Sequence, residues 1–147
     1  MALTTIKGNV LTVPHGIICH QVNCMGKMGA GIALSIRKKW PIVYQDYMRA
    51  LANSQLVLGN VILSTIVPAQ LYVASLCGQY RYGRDRQYTE YPAVRECLIK
   101  VNHLSLGMEL PVFIPKGMGC SLAGGNWAHM LGMIEQLLQD VVIADYS

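Results

Sequence analysis

The sequence predicts a three-layer α/β fold in one domain spanning residues 1–147, and three observations carry that expectation. Short runs rich in Val, Ile, Leu and Thr alternate with segments of helical period. Those runs are apolar nearly throughout, the pattern of strands covered on both faces in a mostly parallel sheet. Two glycine-bearing turns then join strand-like runs to helix-like runs, at the edge where such sheets hold ligands.

The elements follow in order. Strands are expected at 4–10 and 16–22, and a helix at 31–40 with Ile32, Ile36 and Trp40 at spacings of four. Pro41 stops that helix and opens a second one through about Leu51. No Asp, Glu, Lys or Arg occurs from Ala50 to Tyr80, which raises the question of a membrane span. Asn53, Ser54, Gln55, Gly59, Asn60, Pro68 and Gln70 interrupt the stretch, whereas a spanning helix needs roughly 20 nearly continuous apolar residues. It reads instead as buried strands at 60–67 and 71–77. After an irregular segment at 78–90, a helix at 91–106 places Val94, Leu98, Val101 and Leu104 on one face. A strand at 111–115 precedes the second glycine turn, and Asn126 caps a last helix striped by Met130, Ile134, Leu137 and Leu138. A strand at 141–146 ends the chain. These stripes read as core packing.

The five cysteines, Cys19, Cys24, Cys77, Cys97 and Cys120, are odd in number and form no C-x-x-C pair, as expected of reduced thiols. Strand alternation sends Cys19 and His20 to opposite faces, so no metal site and no cofactor is expected. The N-terminus lacks the apolar core of a signal peptide, and the expected location is the cytoplasm. A net charge of +4 favours an anionic partner. Of the two basic clusters, Arg37-Lys38-Lys39 reads as a solvated helix end, where cations favour the helix dipole. Arg81, Arg84 and Arg86, interleaved with Tyr80, Tyr82 and Tyr88, form a loop suited to phosphate or stacked bases. Arg81 and Arg84 are the candidate contacts for a terminal phosphate, although the loop can also be merely solvated. Nucleic acid is not expected as a partner, for want of a recognised fold signature. Oligomeric state is left open.

The two turns run from His20 to Ile32 and from Pro115 to Trp127. Glycine lets backbone N–H groups approach a ligand closely, and a following helix start adds unpaired N–H groups and partial positive charge. Two such turns suggest a diphosphate gripped from both sides. Neither is a P-loop, and neither is a G-x-G-x-x-G fingerprint.

The string 22–33, the opening Ile6-Lys7-Gly8-Asn9-Val10 and the turn Gly117-Met118-Gly119-Cys120-Ser121-Leu122 resemble a macro domain in order and spacing. The resemblance implies a six-stranded mixed sheet and binding of ADP-ribose or a derivative. By position it places Asn9 and Tyr146 at the adenine, Asn9 standing where many relatives have an Asp, and counts Gly8 and Val10 among the ligand-binding residues. It places Asn23 on the distal ribose, Met28, Gly29, Ala30, Gly31 and Ile32 on the first phosphate loop, and Gly117 with Gly119, Cys120, Ser121, Leu122, Ala123 and Gly124 on the second.

It also bears on His20. A histidine on an apolar strand is more often a buried, satisfied one. The resemblance instead implies catalysis, since a branch that removes the terminal phosphate of ADP-ribose 1''-phosphate has a similar I-H-x-x-N-C string. Three functions are therefore weighed: that phosphatase, with His20 and Asn23 in the chemistry; a binding module without turnover; and, behind these, an ADP-ribosyl glycohydrolase. The last is disfavoured by the same resemblance, which implies a Lys after the fourth strand or an Asp in the second glycine loop, where this chain has Cys77-Gly78-Gln79 and Ala123.

Overall fold

The described residues form six strands and four α-helices, in the order β1 (Ala2–Lys7), β2 (Gly16–Asn23), α1 (Gly31–Lys39), α2 (Pro41–Ala52), β3 (Val61–Val67), β4 (Leu71–Gln79), α3 (Tyr91–Met108), β5 (Val112–Pro115), α4 (Trp127–Leu137) and β6 (Asp140–Asp145). The computed structural model describes residues 2–146. Each expected strand and helix is present, and the differences lie at the ends. β1 stops at Lys7 because Asn9 leaves the strand to cap a 3-10 turn at Val10–Thr12. α1 yields to α2 at Trp40, whose φ of −129° and ψ of 82° suit a residue before proline. α3 continues two residues beyond the expected end, to the left-handed Glu109, where Leu110 N–H bonds Ser105 O and Ser105 Oγ bonds Leu110 O.

The sheet order is β1-β6-β5-β2-β4-β3, with every pairing parallel except β3 with β4. The parallel set brings the carboxyl ends of β1, β6, β5, β2 and β4 to one edge. Side chains alternate between two cores. Ile17 and Cys19 of β2 join Val94, Leu98 and Val101 of α3 and Met130 and Ile134 of α4. Ile18 and Val22 face the other way, toward Ile36 of α1 and Val43 and Tyr47 of α2. The charge-free stretch is thus resolved as β3 and β4, and no described helix is long and apolar enough to cross a membrane.

One irregularity matters for the site. Val22 pairs with Cys77, but Asn23 pairs with Gln79, so Gly78 has no partner across the ladder. A Cβ at Gly78 would come within 2.7 Å of Gln21 Oε1 and 2.8 Å of Val94 Cγ2.

Candidate functional site

Because the carboxyl ends share an edge, the four connections after β1, β2, β4 and β5 meet there with Tyr146 after β6 and enclose a cavity of 630 Å³. Asn9, Ala144 and Tyr146 line its β1/β6 end, and Gln79, Tyr82 and Arg84 its β4 end. The two glycine turns, following β2 and β5, occupy the middle.

The first turn is built around Asn23. Its Oδ1 accepts from Met25 N–H at 3.0 Å and Lys27 N–H at 3.2 Å, and its Nδ2 donates to Lys27 O at 2.8 Å. Asn23 lines the cavity, yet its amide oxygen is spent on shaping the turn. Beyond it the chain runs through Gly29 and Ala30 into α1, where backbone pairing begins with Leu34 N–H on Ala30 O. The N–H groups of Gly31, Ile32 and Ala33 are therefore left to face a ligand, as at any helix start.

The second turn, from Gly117 to Gly125, leaves the N–H groups of Ser121, Leu122 and Ala123 without a backbone acceptor among the described residues. It is fixed from behind. Thr89 Oγ1 donates to Gly119 O at 2.5 Å and accepts from Gln21 Nε2 at 2.9 Å, while Gln21 Nε2 also donates to Gln79 Oε1 at 2.8 Å. Gln79 Nε2 continues the chain of bonds to Arg81 O at 2.8 Å. Tyr88 N–H and Thr89 N–H both reach Ala123 O, so the arginine loop and the second turn form one unit. Thr89→Val keeps the shape but takes from Gly119 O one of its two donors, the other being Gly125 N–H at 2.9 Å, and orphans a Gln21 donor. It should lower stability by about 1–2 kcal/mol in denaturant titration, with weaker binding at the second turn.

Known proteins share this fold. No family model matches the chain. The DNA ADP-ribosyl glycohydrolase of Thermus aquaticus is 33% identical over 142 residues, which cover 93% of this chain but only 38% of that enzyme. A solved protein of unknown function from Bacteroides thetaiotaomicron is 31% identical with a TM-score of 0.88, covering 99% of this chain and 98% of that one. The macrodomain protein of Streptomyces coelicolor superposes with a TM-score of 0.83 at 22% identity, over 99% of this chain and 100% of that one.

The chain has the macrodomain fold.

Thermosipho africanus DarTG, solved in complex with ADP-ribose, matches with a TM-score of 0.80 at 17% identity, over 98% of this chain and 42% of that one.

Within this macrodomain fold the expected site residues divide. Asn9, Val10, Asn23, Gly29, Ala30, Gly31 and Ile32 line the cavity, as do Gly117, Gly119, Ser121, Leu122, Ala123, Arg84 and Tyr146. His20 does not. Its side chain enters the layer under α1 and α2, fully buried, with Nε2 against Ser75 Oγ at 2.7 Å and Nδ1 without a partner. Burial lowers its pKa to about 3, so it is neutral at physiological pH. The expectation that His20 carries chemistry is corrected by strand alternation: the neighbour that reaches the cavity is Gln21.

Five other residues also fall outside the lining. Met28 is buried in the α1/α2 core, and Gly8 is pinned to β6 through Asp145 O. Cys120 turns its N–H to Gly117 O and its thiol to Met118 O. Gly124 packs so closely on the arginine loop that a Cβ would meet Arg86 O at 3.1 Å. Arg81 is exposed outside the cavity, whereas Arg84 is on its wall.

The sequence reading missed Gln21, Gln79 and Lys116, which the cavity adds. Alternation along β2 could have found Gln21; the unpaired Gly78 hid Gln79. The Arg37-Lys38-Lys39 cluster is partly occupied, Arg37 stacking 3.7 Å above Tyr44 and Lys39 Nζ donating to Leu11 O.

Proposed function

We propose that the chain belongs with the ADP-ribose-binding macro domains and holds ADP-ribose or a derivative with the diphosphate between the two glycine turns. The observation that carries this reading is one cavity onto which both turns open unpaired N–H groups from opposite sides. Two relatives support the same ligand, one a DNA ADP-ribosyl glycohydrolase and one solved in complex with ADP-ribose. In this reading the adenine lies by Asn9 and Tyr146, and the distal ribose by Gln21, Asn23 and Gln79.

Turnover is less well supported than binding. The ionisable side chains on the wall are Lys27, Arg84, Lys116, Tyr82 and Tyr146. No carboxylate, imidazole or thiol stands among the described lining residues to take a proton from water at neutral pH. Removal of phosphate from ADP-ribose 1''-phosphate thus has Arg84 as an anion contact but lacks the base that His20 was expected to supply. The glycohydrolase reading meets Gln79, whose amide is committed to Gln21 and Arg81 O.

Calorimetric titration tests the reading. ADP-ribose should bind at least tenfold more tightly than AMP or ribose 5-phosphate, with no phosphate released from ADP-ribose 1''-phosphate. Absence of binding heat with ADP-ribose overturns the ligand; phosphate release overturns the non-catalytic reading.

A second reading, that the ADP-ribosyl unit is presented on nucleic acid, is favoured by the rim. Arg81, Arg84 and Arg86 are exposed there, with Tyr80 49% and Tyr82 52% exposed beside them. The variant Arg81→Ala/Arg86→Ala should then weaken binding of an ADP-ribosylated oligonucleotide about tenfold or more and flatten its salt dependence. Free ADP-ribose should bind the variant unchanged; equal loss for both ligands would sink the idea.

A further inference from the structure

The geometry points to Tyr47 as the positioning residue of the first glycine turn. The inference rests on the ligand reading above and goes beyond it, because Tyr47 is on α2, is fully buried and does not line the cavity.

The turn at 24–27 leaves the end of a buried strand and must satisfy its own polar groups there. Most of its bonds close on Asn23. Tyr47 supplies the tie to α2: its Oη lies 2.5 Å from Asn23 O and 2.9 Å from Asn23 Oδ1, and accepts from Gly26 N–H at 3.2 Å. A hydroxyl has one proton, so Oη donates to one of the two Asn23 oxygens while receiving Gly26. The other described tie outward is Cys24 N–H on Tyr80 O.

Packing supports the same seat. Gly26 has φ of +82°, and a Cβ there would come within 2.7 Å of Leu51 Cδ2, also on α2. The turn therefore rests on α2 with Gly26 pressed against it, and three residues later the cavity-lining segment from Gly29 to Ile32 begins. A turn held before the ligand arrives need not be ordered at its arrival, and that saving appears as affinity. Loss of the hydroxyl leaves Gly26 N–H and Asn23 O underpaired in a buried place, and the segment after them loses its fixed origin.

Tyr47→Phe keeps the ring in the core and removes only the tie. Two measurements read its effect: affinity for ADP-ribose and for adenosine at low temperature, and amide hydrogen exchange at 24–33. Tyr44→Phe, on the same helix and without a bond to the turn, is the control. Tyr47→Phe should bind ADP-ribose about tenfold more weakly, bind adenosine as the native chain does, and exchange faster at Gly29, Ala30 and Gly31. A purely structural role would lower the melting temperature but spare the ADP-ribose to adenosine ratio. Unchanged exchange at those amides overturns the proposal. If the native chain fails to bind ADP-ribose, the ligand reading falls, and the exchange measurement alone decides whether Tyr47 positions the turn.

Discussion

Gly29→Glu should abolish ADP-ribose binding while leaving the melting transition where it is. Gly29 lines the cavity, a Cβ on it meets nothing within 4 Å, and its backbone is outside the left-handed region. The substitution thus adds bulk and a negative charge beside the proposed diphosphate without straining the chain. A loss of at least a hundredfold, about 2.7 kcal/mol, is the expected scale. Gly31→Val is the informative companion. Gly31 has φ of +58°, so a β-branched residue there costs backbone energy of order 1–2 kcal/mol besides occluding the site. Calorimetry should therefore show binding lost in both variants, and thermal unfolding should show a lower midpoint only for Gly31→Val. Native-like affinity in Gly29→Glu would remove the first turn from the binding site.

The second large effect concerns acid stability and His20. Its folded pKa of about 3 stands against an ordinary value of 6.5, and burial is the cause. Above pH 6.5 the group is neutral in both states and costs nothing. As pH falls from 6.5 toward 3, the unfolded chain takes up a proton that the folded one refuses, and stability drops throughout that window. At pH 5 the loss from this one residue is about 2 kcal/mol. Gln in its place keeps a hydrogen-bonding group for Ser75 and does not titrate. His20→Gln should therefore flatten the decline in urea midpoint between pH 7.5 and pH 5, whatever it does to stability at pH 7.5. Parallel declines in both proteins would show that other groups set the acid limb. Binding of ADP-ribose at pH 7.5 should survive in the variant, since His20 faces the opposite layer from Gln21.

How legible the fold was depends on where the signal resided. Strands and helices were readable because their periods are set by burial: Ile17 and Cys19 against α3 and α4, Ile18 and Val22 against α1 and α2. Boundaries moved where a local bond overrode the pattern. Asn9 capped a turn through Leu11 N–H at 2.9 Å, and Ser105 closed a helix end that extends to Met108. The two glycine turns were legible as anion sites because backbone N–H groups do the holding there. Side-chain roles were not. His20 and Gln21 are adjacent and both polar, and which of them meets the cavity depends on which core each faces. Asn23 was visible as a site residue, but its engagement with Met25 and Lys27 arises from the path of the turn, which the sequence does not print.

Gly78 has a role that its lack of a side chain conceals. Up to Cys77 the residues of β4 obey a strict two-beat rhythm, with Val73 and Cys77 toward α2 and Ala74 and Leu76 toward α3. On that beat Gln79 would turn toward α2, away from Gln21. The extra residue at 78 resets the count, and Gln79 comes out beside Gln21, 2.8 Å away, where the two amides share the cavity wall. The β4 end of the binding site is thus governed by parity: a strand of the same composition that kept position 78 in ordinary register would send its last amide into the wrong layer.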